Sequence, residues 1–404
     1  MVMQEAWIPP ETERERLRAV EQVSVVGTEP EERFDQIIRV AKMMFNVPMS
    51  SISVIDDRHQ WFKSVDGLAE TPIPRDETVC QVTIARAYRE PDQPIYMLED
   101  ASDLADFACL PGIGGDDGVR FYAGHPLYGP GGHPVGAFCI YDTEPRTLDA
   151  DQLSAFAELA KWVQSEMERS AELDRAAEVQ RELLPNSISD IPGYGIEALC
   201  IPAFSVGGDF YDHYVASEGA YFSLVDVMGK GIAAAILTAS VRSALRGSTR
   251  ALESVPNTDL GTVVGVVSEQ LSDDFTRTGS FATAFHARLN SSEHTLEYVD
   301  AGHGLAFLRQ PDGTTVHLAT ADMPLGVGTH WGAVKIALDP GAMLVVCSDG
   351  LLDIITDDSN SAALADLIGR YDKPAPFARA VRTWVRDTVP MDDVTVIAIR
   401  RDAS

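Results

Sequence analysis

The sequence predicts an α+β protein: a first mixed domain, a long helix, and a second domain of two sheets faced by helices. Three patterns predict it. Residues 29–148 alternate helical and strand periodicities. Residues 149–184 contain neither Gly nor Pro. From 186 to 404, strand patterns rich in Val, Tyr and Phe dominate, broken by four helical stretches. The 404 residues exceed the roughly 100–200 of a single domain. A hydrophobic content of 45% is ample for ordinary cores and excludes wholesale disorder.

Residues 1–28 are polar and charged and read as a short helix and a loop. Their start, MVMQEAWIPPETERERL, lacks the basic stretch and apolar core of a signal peptide. In 29–148, Phe34, Ile37, Ile38, Ala41 and Phe45 recur at helical spacing. SSISVID (50–56) and QWFKSV (60–65) follow as strands around Asp57-Arg58-His59. VRFYAGHPLYG (119–129) and HPVGAFCIYD (133–142) flank a Gly-Pro-Gly-Gly turn and predict a β-hairpin. Residues 149–185 form the predicted helical linker, capped by Asp149 and stopped by Pro185. A candidate seam runs through Leu153, Phe156, Ala160, Val163, Met167, Ser170, Leu173, Ala177, Gln180 and Leu184, with a stammer at Ser170–Leu173. A dimeric coiled coil and a helix packed on its own domains both fit that seam.

In 186–404, the stretch Gly229–Gly247 is Ala-rich and apolar on most faces, so it is expected to be buried. Thr258–Phe275 places Leu260, Val263, Val264, Val267, Leu271 and Phe275 on one side. Further helices are expected over 360–369 and 375–389.

Charge and cysteine content narrow the partners. There are 32 Lys+Arg against 61 Asp+Glu, a formal net charge of −29. Such a chain repels polyphosphate, so neither nucleic acid nor an anionic membrane surface is an expected partner. No apolar run approaches the ~18 residues of a membrane span. Five cysteines (Cys80, Cys109, Cys139, Cys200, Cys347) are scattered without CxxC spacing. That argues for a reducing cytoplasm rather than a disulfide framework or zinc site. For Cys80 and Cys109 the readings are a redox-sensitive thiol and a buried, inert one, of which the inert one is expected; Cys139 and Cys347 read as small core residues.

Four acids share one placement. Asp226 ends the apolar run YFSLV, and Asp349 follows MLVVCS. Asp209 follows Gly207-Gly208, and Asp392-Asp393 precedes the strand VTVIAIR. In antiparallel sheets a strand's end lies beside its neighbour's start, so these acids can meet. Each alone reads as an ordinary turn residue. Four together repel unless protonated or bridged by hard cations such as Mg²⁺ or Mn²⁺. Two such ions ~4 Å apart can share and deprotonate a water for attack on phosphorus. Gly208 and Gly229 let backbone approach metal or phosphate, the Val227 carbonyl is one more oxygen donor, and Lys230 opens a helix whose N-terminus favours an anion.

These residues resemble a family. QRELLP (180–185), VGGDFYD (206–212), DVMGKGIAAA (226–235), FATAFHARL (281–289), AGH (301–303), PLGVG (324–328), SDG (348–350) and DDVTV (392–396) are similar to the metal-dependent PPM, or protein phosphatase 2C, family in its bacterial SpoIIE-type branch. The resemblance covers about 175–401 and implies an αββα sandwich and Ser/Thr phosphoprotein dephosphorylation with two Mn²⁺ or Mg²⁺ ions. It implies that Asp226 bridges both metals and the Val227 carbonyl binds one. Asp209 supports that ion, and Asp349 and Asp392 hold the other. Asp226 and Asp209 are thereby the implied catalytic residues. Asp393, Gly208, Gly229 and Lys230 are implied support or phosphate positions, and Gln180, Leu183 and Leu184 regulatory ones. The chain departs from the family in reading Asp300-Ala301-Gly302-His303-Gly304 for Asn-Ala-Gly-His-Asn, and in ending the block after Ser-Asp-Gly with Asp353 for Glu. Met228 stands where eukaryotic relatives have His, which leaves the general acid unassigned; His303 reads as structural.

Residues 33–64, 119–127 and 136–146 resemble a GAF domain, a resemblance spanning about 30–165. It implies a sensing module and names no ligand. The turn and strand settings of His59, His125 and His133 argue against haem. Together the resemblances imply a phosphatase, controlled through the helix by its GAF domain and acting on a phosphorylated STAS-domain anti-sigma-factor antagonist; the charge and cysteine pattern adds a cytoplasmic setting and the helix seam a homodimer. The alternatives are a pseudophosphatase scaffold that signals by contact and an enzyme for small phosphate esters.

Overall fold

The computed structural model describes all residues except 1–5, 24–30, 109, 114–117, 186–187, 189, 217–218, 254, 256–257, 319–321, 356–360, 389 and 404. Cys109 therefore lies outside the described residues. The chain divides into two compact units, Met1–Asp174 and Arg175–Ser404.

The first unit begins with α1 (Pro10–Val23) and α2 (Glu32–Phe45). Strands β1 (Met49–Ile55), β2 (His59–Asp66) and β3 (Ile73–Pro74) follow, then α3 (Cys80–Arg89), β4 (Tyr96–Leu98) and the short α4 (Ala105–Ala108). The hairpin β5 (Phe121–Tyr128) and β6 (Pro134–Asp142) completes a six-stranded antiparallel sheet of order β3-β2-β1-β6-β5-β4. Period-two alternation gives the sheet two buried faces. Phe121, Ala123, Phe138 and Ile140 meet α1, α2 and the start of α5 (Ala150–Leu183). Their neighbours Tyr122, Ala137, Cys139 and Tyr141 meet α3. The polar N-terminal segment does more than its composition suggested. Ala19, Val20 and Val23 of α1 enter the core, and the fully buried Arg16 donates to the Ile55 carbonyl at 2.7 Å.

Helix α5 is the predicted long helix, 34 residues from Ala150 to Leu183. Asp149 caps it by accepting from Gln152 N, while Gln152 Oε1 accepts from Asp149 N, a reciprocal capping box. Phe156, Ala160, Val163, Met167 and Ser170 of the candidate seam are buried, and all but Ser170 belong to the first unit's own core. Over that half, the packed-helix alternative holds: apolar residues at three–four spacing fit a sheet as well as a second helix.

The second unit starts with β7 (Tyr194–Ile201), β8 (Asp209–Ala216) and β9 (Gly219–Val227). Then come α6 (Ile232–Leu252), α7 (Leu260–Thr278), β10 (Ala282–Asn290), β11 (Thr295–Ala301), β12 (Ala306–Arg309), β13 (Thr315–His317), β14 (Val334–Ala337) and β15 (Met343–Cys347). Helices α8 (Asp349–Ile355), α9 (Ser361–Gly369) and α10 (Pro374–Asp387) precede β16 (Val394–Arg401). Two five-stranded sheets result, β14-β11-β10-β9-β8 and β13-β12-β15-β16-β7. Phe222, Leu224, Phe285 and Leu289 of one sheet pack against Leu344, Val346, Ile397 and Ile399 of the other. Outside the first sheet, Val225 and Val227 meet Val241 of α6 and Val264 of α7. Outside the second, Val345 and Val396 meet Leu351, Leu364 and Phe377 of the last three helices. This is the expected αββα sandwich.

Helix α6 corrects one expectation. It is not buried all round: Ile232 and Ile236 are 50% and 63% exposed, while Ala234, Thr238, Val241 and Leu245 face the sheet. Alanine-rich composition hides the true face, because Ala tolerates both environments.

Buried His286 gives a pH-dependent stability. Thr249 Oγ1 donates to Leu245 O at 2.6 Å, so it accepts from His286 Nε2 at 3.1 Å. His286 Nδ1 then accepts from Ser223 Oγ at 2.8 Å, and the ring is satisfied as a neutral imidazole. Burial pushes its pKa down from 6.5 to about 4. Below pH 6.5 the unfolded chain takes up a proton that the folded chain refuses, so stability is lost as pH falls toward 4. In urea melts of His286→Gln across that window, the decline is expected to be shallower than in the wild type; an identical slope would contradict this account.

Candidate active site

The same alternation that builds the sandwich aims its acids. Asp226 shares the parity of Phe222 and Leu224, so it faces the second sheet at the end of β9. Asp209, first residue of β8, stands directly opposite Asp226 in the ladder, and so on the same face. Their backbones are joined by Val227 N donating to Gly208 O at 3.1 Å. The second sheet supplies Asp349, just beyond β15, and Asp392, just before β16. Asp349 was expected in a loop; it opens the short helix α8 instead. At the next position a Cβ on Gly350 would lie 2.2 Å from Asp393 O, so only glycine lets this turn press on the Asp392–Asp393 backbone.

Electrostatics records the crowding. Burial and the charges of Asp349, Asp392 and Asp393 push the Asp226 pKa up to about 7. Burial and the Asp226 charge push Asp209 well up as well. Asp209 is 4% exposed, and its Oδ2 has no hydrogen-bond partner among the described residues. A stranded buried oxygen costs on the order of 1–3 kcal/mol, an amount a single buried Leu or Phe offsets. The Ser348 and Thr395 side chains act on this carboxyl in the opposite sense, drawing its pKa down, and the unpartnered Oδ2 is open to an electropositive group. The backbone adds an open cradle: a Cβ on Gly208 would lie 2.6 Å from Val227 O and 3.2 Å from Gly229 O. An all-oxygen donor set with an orphaned carboxylate oxygen and a glycine-lined carbonyl fits a hard divalent cation. Among the described residues, no three His, Cys, Asp or Glu side chains are grouped tightly enough to hold one ion.

Lys230 corrects a second expectation. It does not open a helix; α6 begins at Ile232. Lys230 Nζ instead pairs with Asp392 Oδ2 at 2.9 Å and donates to Met391 O at 2.6 Å. The protein's own ammonium thus neutralises one acid of the group. Gly229, at φ 114°, carries the intervening turn.

Asp393 clamps backbone. Its Oδ2 accepts from Gly208 N at 2.7 Å and Asp209 N at 3.3 Å, and its Oδ1 from Ala203 N at 2.8 Å. Gln180, near the end of α5, does likewise: its Nε2 donates to Gly207 O at 2.7 Å and its Oε1 accepts from Gly207 N at 3.0 Å. Leu184 packs against both cores flanking the first sheet, while Leu183 is half-buried. His303 ties β10 of one sheet to β15 of the other. Nε2 donates to Cys347 O at 2.9 Å, Nδ1 lies 3.2 Å from Thr283 Oγ1, and burial pushes its pKa down to about 4. Asp300, in place of the family's Asn, accepts from the backbone of His303 and Gly304 and so keeps that turn.

Two supporting residues had escaped notice. Ser348 Oγ donates to Asp393 O at 2.9 Å and accepts from Thr395 N at 2.9 Å, joining β15 to β16 beside the acids. Thr238 Oγ1 lies 3.0 Å from Gly208 O. The available signal for Thr238 was a polar residue on the otherwise apolar face of α6, where Thr249 is the other.

Two domain-level matches accompany this geometry. Residues 217–402 match the family model described as Stage II sporulation protein E, SpoIIE, and residues 27–163 match a GAF domain model. The chain carries a GAF domain and a SpoIIE domain. The SpoIIE match contains Asp226, Val227, Asp349, Asp392 and Asp393; Asp209 precedes it and joins through the β8–β9 ladder. Phosphoserine phosphatase RsbU of Bacillus subtilis is 28% identical over 203 residues, which are 48% of this chain and 57% of that protein. A cyclic di-GMP phosphodiesterase of Pseudomonas aeruginosa is 32% identical over 154 residues, 37% of this chain and 25% of that one. The chain thus spans from a quarter to somewhat over half of these relatives. Among solved structures, the SiaA-PP2C domain of Pseudomonas aeruginosa superposes with a TM-score of 0.51 at 24% identity, covering 59% of this chain and 99% of that one. The SpoIIE domain therefore has the PP2C fold. No helix among the described residues is long and apolar enough to cross a membrane.

Proposed function

We propose that the chain is a cytoplasmic, metal-dependent protein serine/threonine phosphatase whose activity is set by its GAF domain. The observation that carries this reading is the opposition of Asp209 and Asp226 at the sandwich end, beside Asp349 and Asp392. Asp209, Asp226, Asp349, Asp392 and the Val227 carbonyl would hold two Mn²⁺ or Mg²⁺ ions. Divalent cations at such a site supply charge neutralisation at phosphoryl oxygens and acidify a water for attack on phosphorus. The residues of the chain do the positioning. Asp393 and Gln180 fix the Gly207–Gly208 backbone, and Lys230 holds Asp392. The names of two relatives, both phosphoserine phosphatases of Bacillus subtilis, support the reaction class.

The surroundings favour a protein-borne phosphate over a small ester. Phe204, Met228 and Met391 flank the acid group and are 56%, 43% and 76% exposed. An open apolar rim suits contact with a partner surface. By family resemblance the substrate is a phosphorylated STAS-domain protein; a homodimer is proposed from the seam of the long helix. The decisive test is phosphate release from a phosphoserine-bearing STAS protein with Mn²⁺, against a small phosphomonoester. Rapid release from the protein supports the reading. Release from neither, with metal binding intact, favours the scaffold alternative.

Coupling through α5 is part of the proposal. Gln180 belongs to the same unbroken helix whose earlier turns pack in the first unit. Gln180→Ala in the full chain is expected to lower Mn²⁺ affinity about 10–100-fold, as loss of an outer positioning contact does. Unchanged affinity by calorimetry would remove Gln180 from the regulatory path.

A further inference from the structure

The most unusual chemistry outside the acid site lies in the first unit. Cys80 opens α3 and Cys139 sits in β6, and their sulfurs are 3.5 Å apart. Sequence alone made both inert core thiols; fold brings them into van der Waals contact. Tyr122 Oη donates to Cys80 Sγ at 3.6 Å and lies 3.4 Å from Cys139 Sγ, and Tyr141 Oη lies 3.6 Å from Cys80 Sγ.

The two sulfurs are not equivalent. A cavity of about 140 Å³ is walled by Cys80, Gln60, Tyr122 and Tyr141 and by apolar residues including Phe62 and Ile113, and Cys139 lies behind Cys80, off its wall. Gln60 is 2% exposed, and its Oε1 has no hydrogen-bond partner among the described residues. The cavity thus presents one reachable thiol, one buried acceptor without a donor, and an apolar wall. Hydrogen bonding from Cys139, the tyrosine hydroxyls and the Gln60 amide draws the Cys80 pKa down to about 7, while burial pushes Cys139 up. The first turn of a ten-residue helix favours a thiolate in the same direction.

We propose that this cavity is a reaction site for a small organic hydroperoxide, with Cys80 the attacking sulfur and Cys139 the resolving one. The hydroperoxide O–H donates to Gln60 Oε1, and its organic group lies on the apolar wall. Cys80 sulfur attacks the terminal oxygen; an S–O bond forms, the O–O bond breaks, and the alkoxide leaves with the thiol proton as an alcohol. Cys80 is now a sulfenic acid, oxidised by the two electrons that reduced the peroxide. Cys139 sulfur attacks it; the S–S bond forms, the S–O bond breaks, and hydroxide leaves with the Cys139 proton as water. The balance is two thiols and one hydroperoxide to one disulfide, one alcohol and one water.

The test uses the full folded chain with cumene hydroperoxide, and hydrogen peroxide in a parallel arm, read by peptide mapping after thiol blocking. The expected product is a Cys80–Cys139 disulfide, formed faster with cumene hydroperoxide. Cys139→Ser should stop at a Cys80 sulfenic acid that dimedone traps. Cys80→Ser should react about tenfold slower or worse, because the remaining thiol is off the cavity wall. Gln60→Leu keeps both sulfurs but removes the Oε1 acceptor together with the amide contact to Cys80, so it should slow the cumene hydroperoxide reaction several-fold even at a pH where Cys80 is fully ionised. Melting curves of each variant establish folding. A disulfide to another cysteine, oxidation only after unfolding in urea, or an unchanged rate in Gln60→Leu would overturn the site. Hydrogen peroxide reacting as fast as the organic peroxide would overturn the ligand class.

Discussion

Asp226→Asn is expected to cut phosphate release by about a thousandfold or more. Removing the carboxylate that faces all the others forfeits several kcal/mol of transition-state charge stabilisation, and each 1.4 kcal/mol is a factor of ten. The same change should raise the melting temperature when no divalent cation is present. In the wild type, Asp226 lies within the repulsion of Asp349, Asp392 and Asp393, and Asp209 is repelled by Asp226 in turn. Asparagine relieves both. Adding Mn²⁺ should then stabilise the wild type and not the variant. The opposite signs separate this account from simple misfolding, which would lower activity and stability together. A variant that still releases phosphate at near wild-type rates would remove Asp226 from the chemistry.

Asp393→Ala is expected to act from behind the site. It strands the buried N–H groups of Gly208 and Asp209 and releases that of Ala203. At about 1–3 kcal/mol for each buried group left unpaired, the loss of stability should reach several kcal/mol. The Gly207–Gly208 backbone also carries the cradle beside the Val227 carbonyl, so Mn²⁺ affinity should fall about 10–100-fold. Asn at the same position keeps one acceptor and turns an NH₂ toward a donor, so it should fall between wild type and Ala. Urea melts and calorimetric metal titration measure both effects. A destabilised protein with unaltered metal affinity would mean that the clamp serves only the fold.

Much of this site was legible in the chain because each acid is marked by a neighbouring apolar run or glycine: Asp226 and Asp349 follow strand runs, Asp392 precedes one, and Asp209 follows Gly207-Gly208. The runs ending at Asp226 and Asp349 announced both strands and acids. What periodicity could not reveal was partnership. The spacing of Phe156, Ala160, Val163 and Met167 reports a buried face and is silent on whether a sheet or a second helix covers it. The basic charge of Lys230 suggested a substrate anion, whereas the nearest anion is Asp392 of the same chain. Cys80 and Cys139 looked inert because each sits in an apolar context; only the packing of α3 on β6 makes them a pair. Sequence marks which residues are special more readily than it marks which of them meet.

The strand order of the second sheet has a consequence for synthesis. Asp209 and Asp226 are joined by one local hairpin and can pair as soon as they leave the ribosome. Asp392 arrives with β16, which fills the gap between β15 and β7, the first strand of its unit. At roughly 5–20 residues per second, the wait is on the order of ten seconds or more. Through that interval half of the acid group exists without the other half. The nascent chain cannot capture ions at a finished site, and any activity switches on only when the last strand closes the sheet.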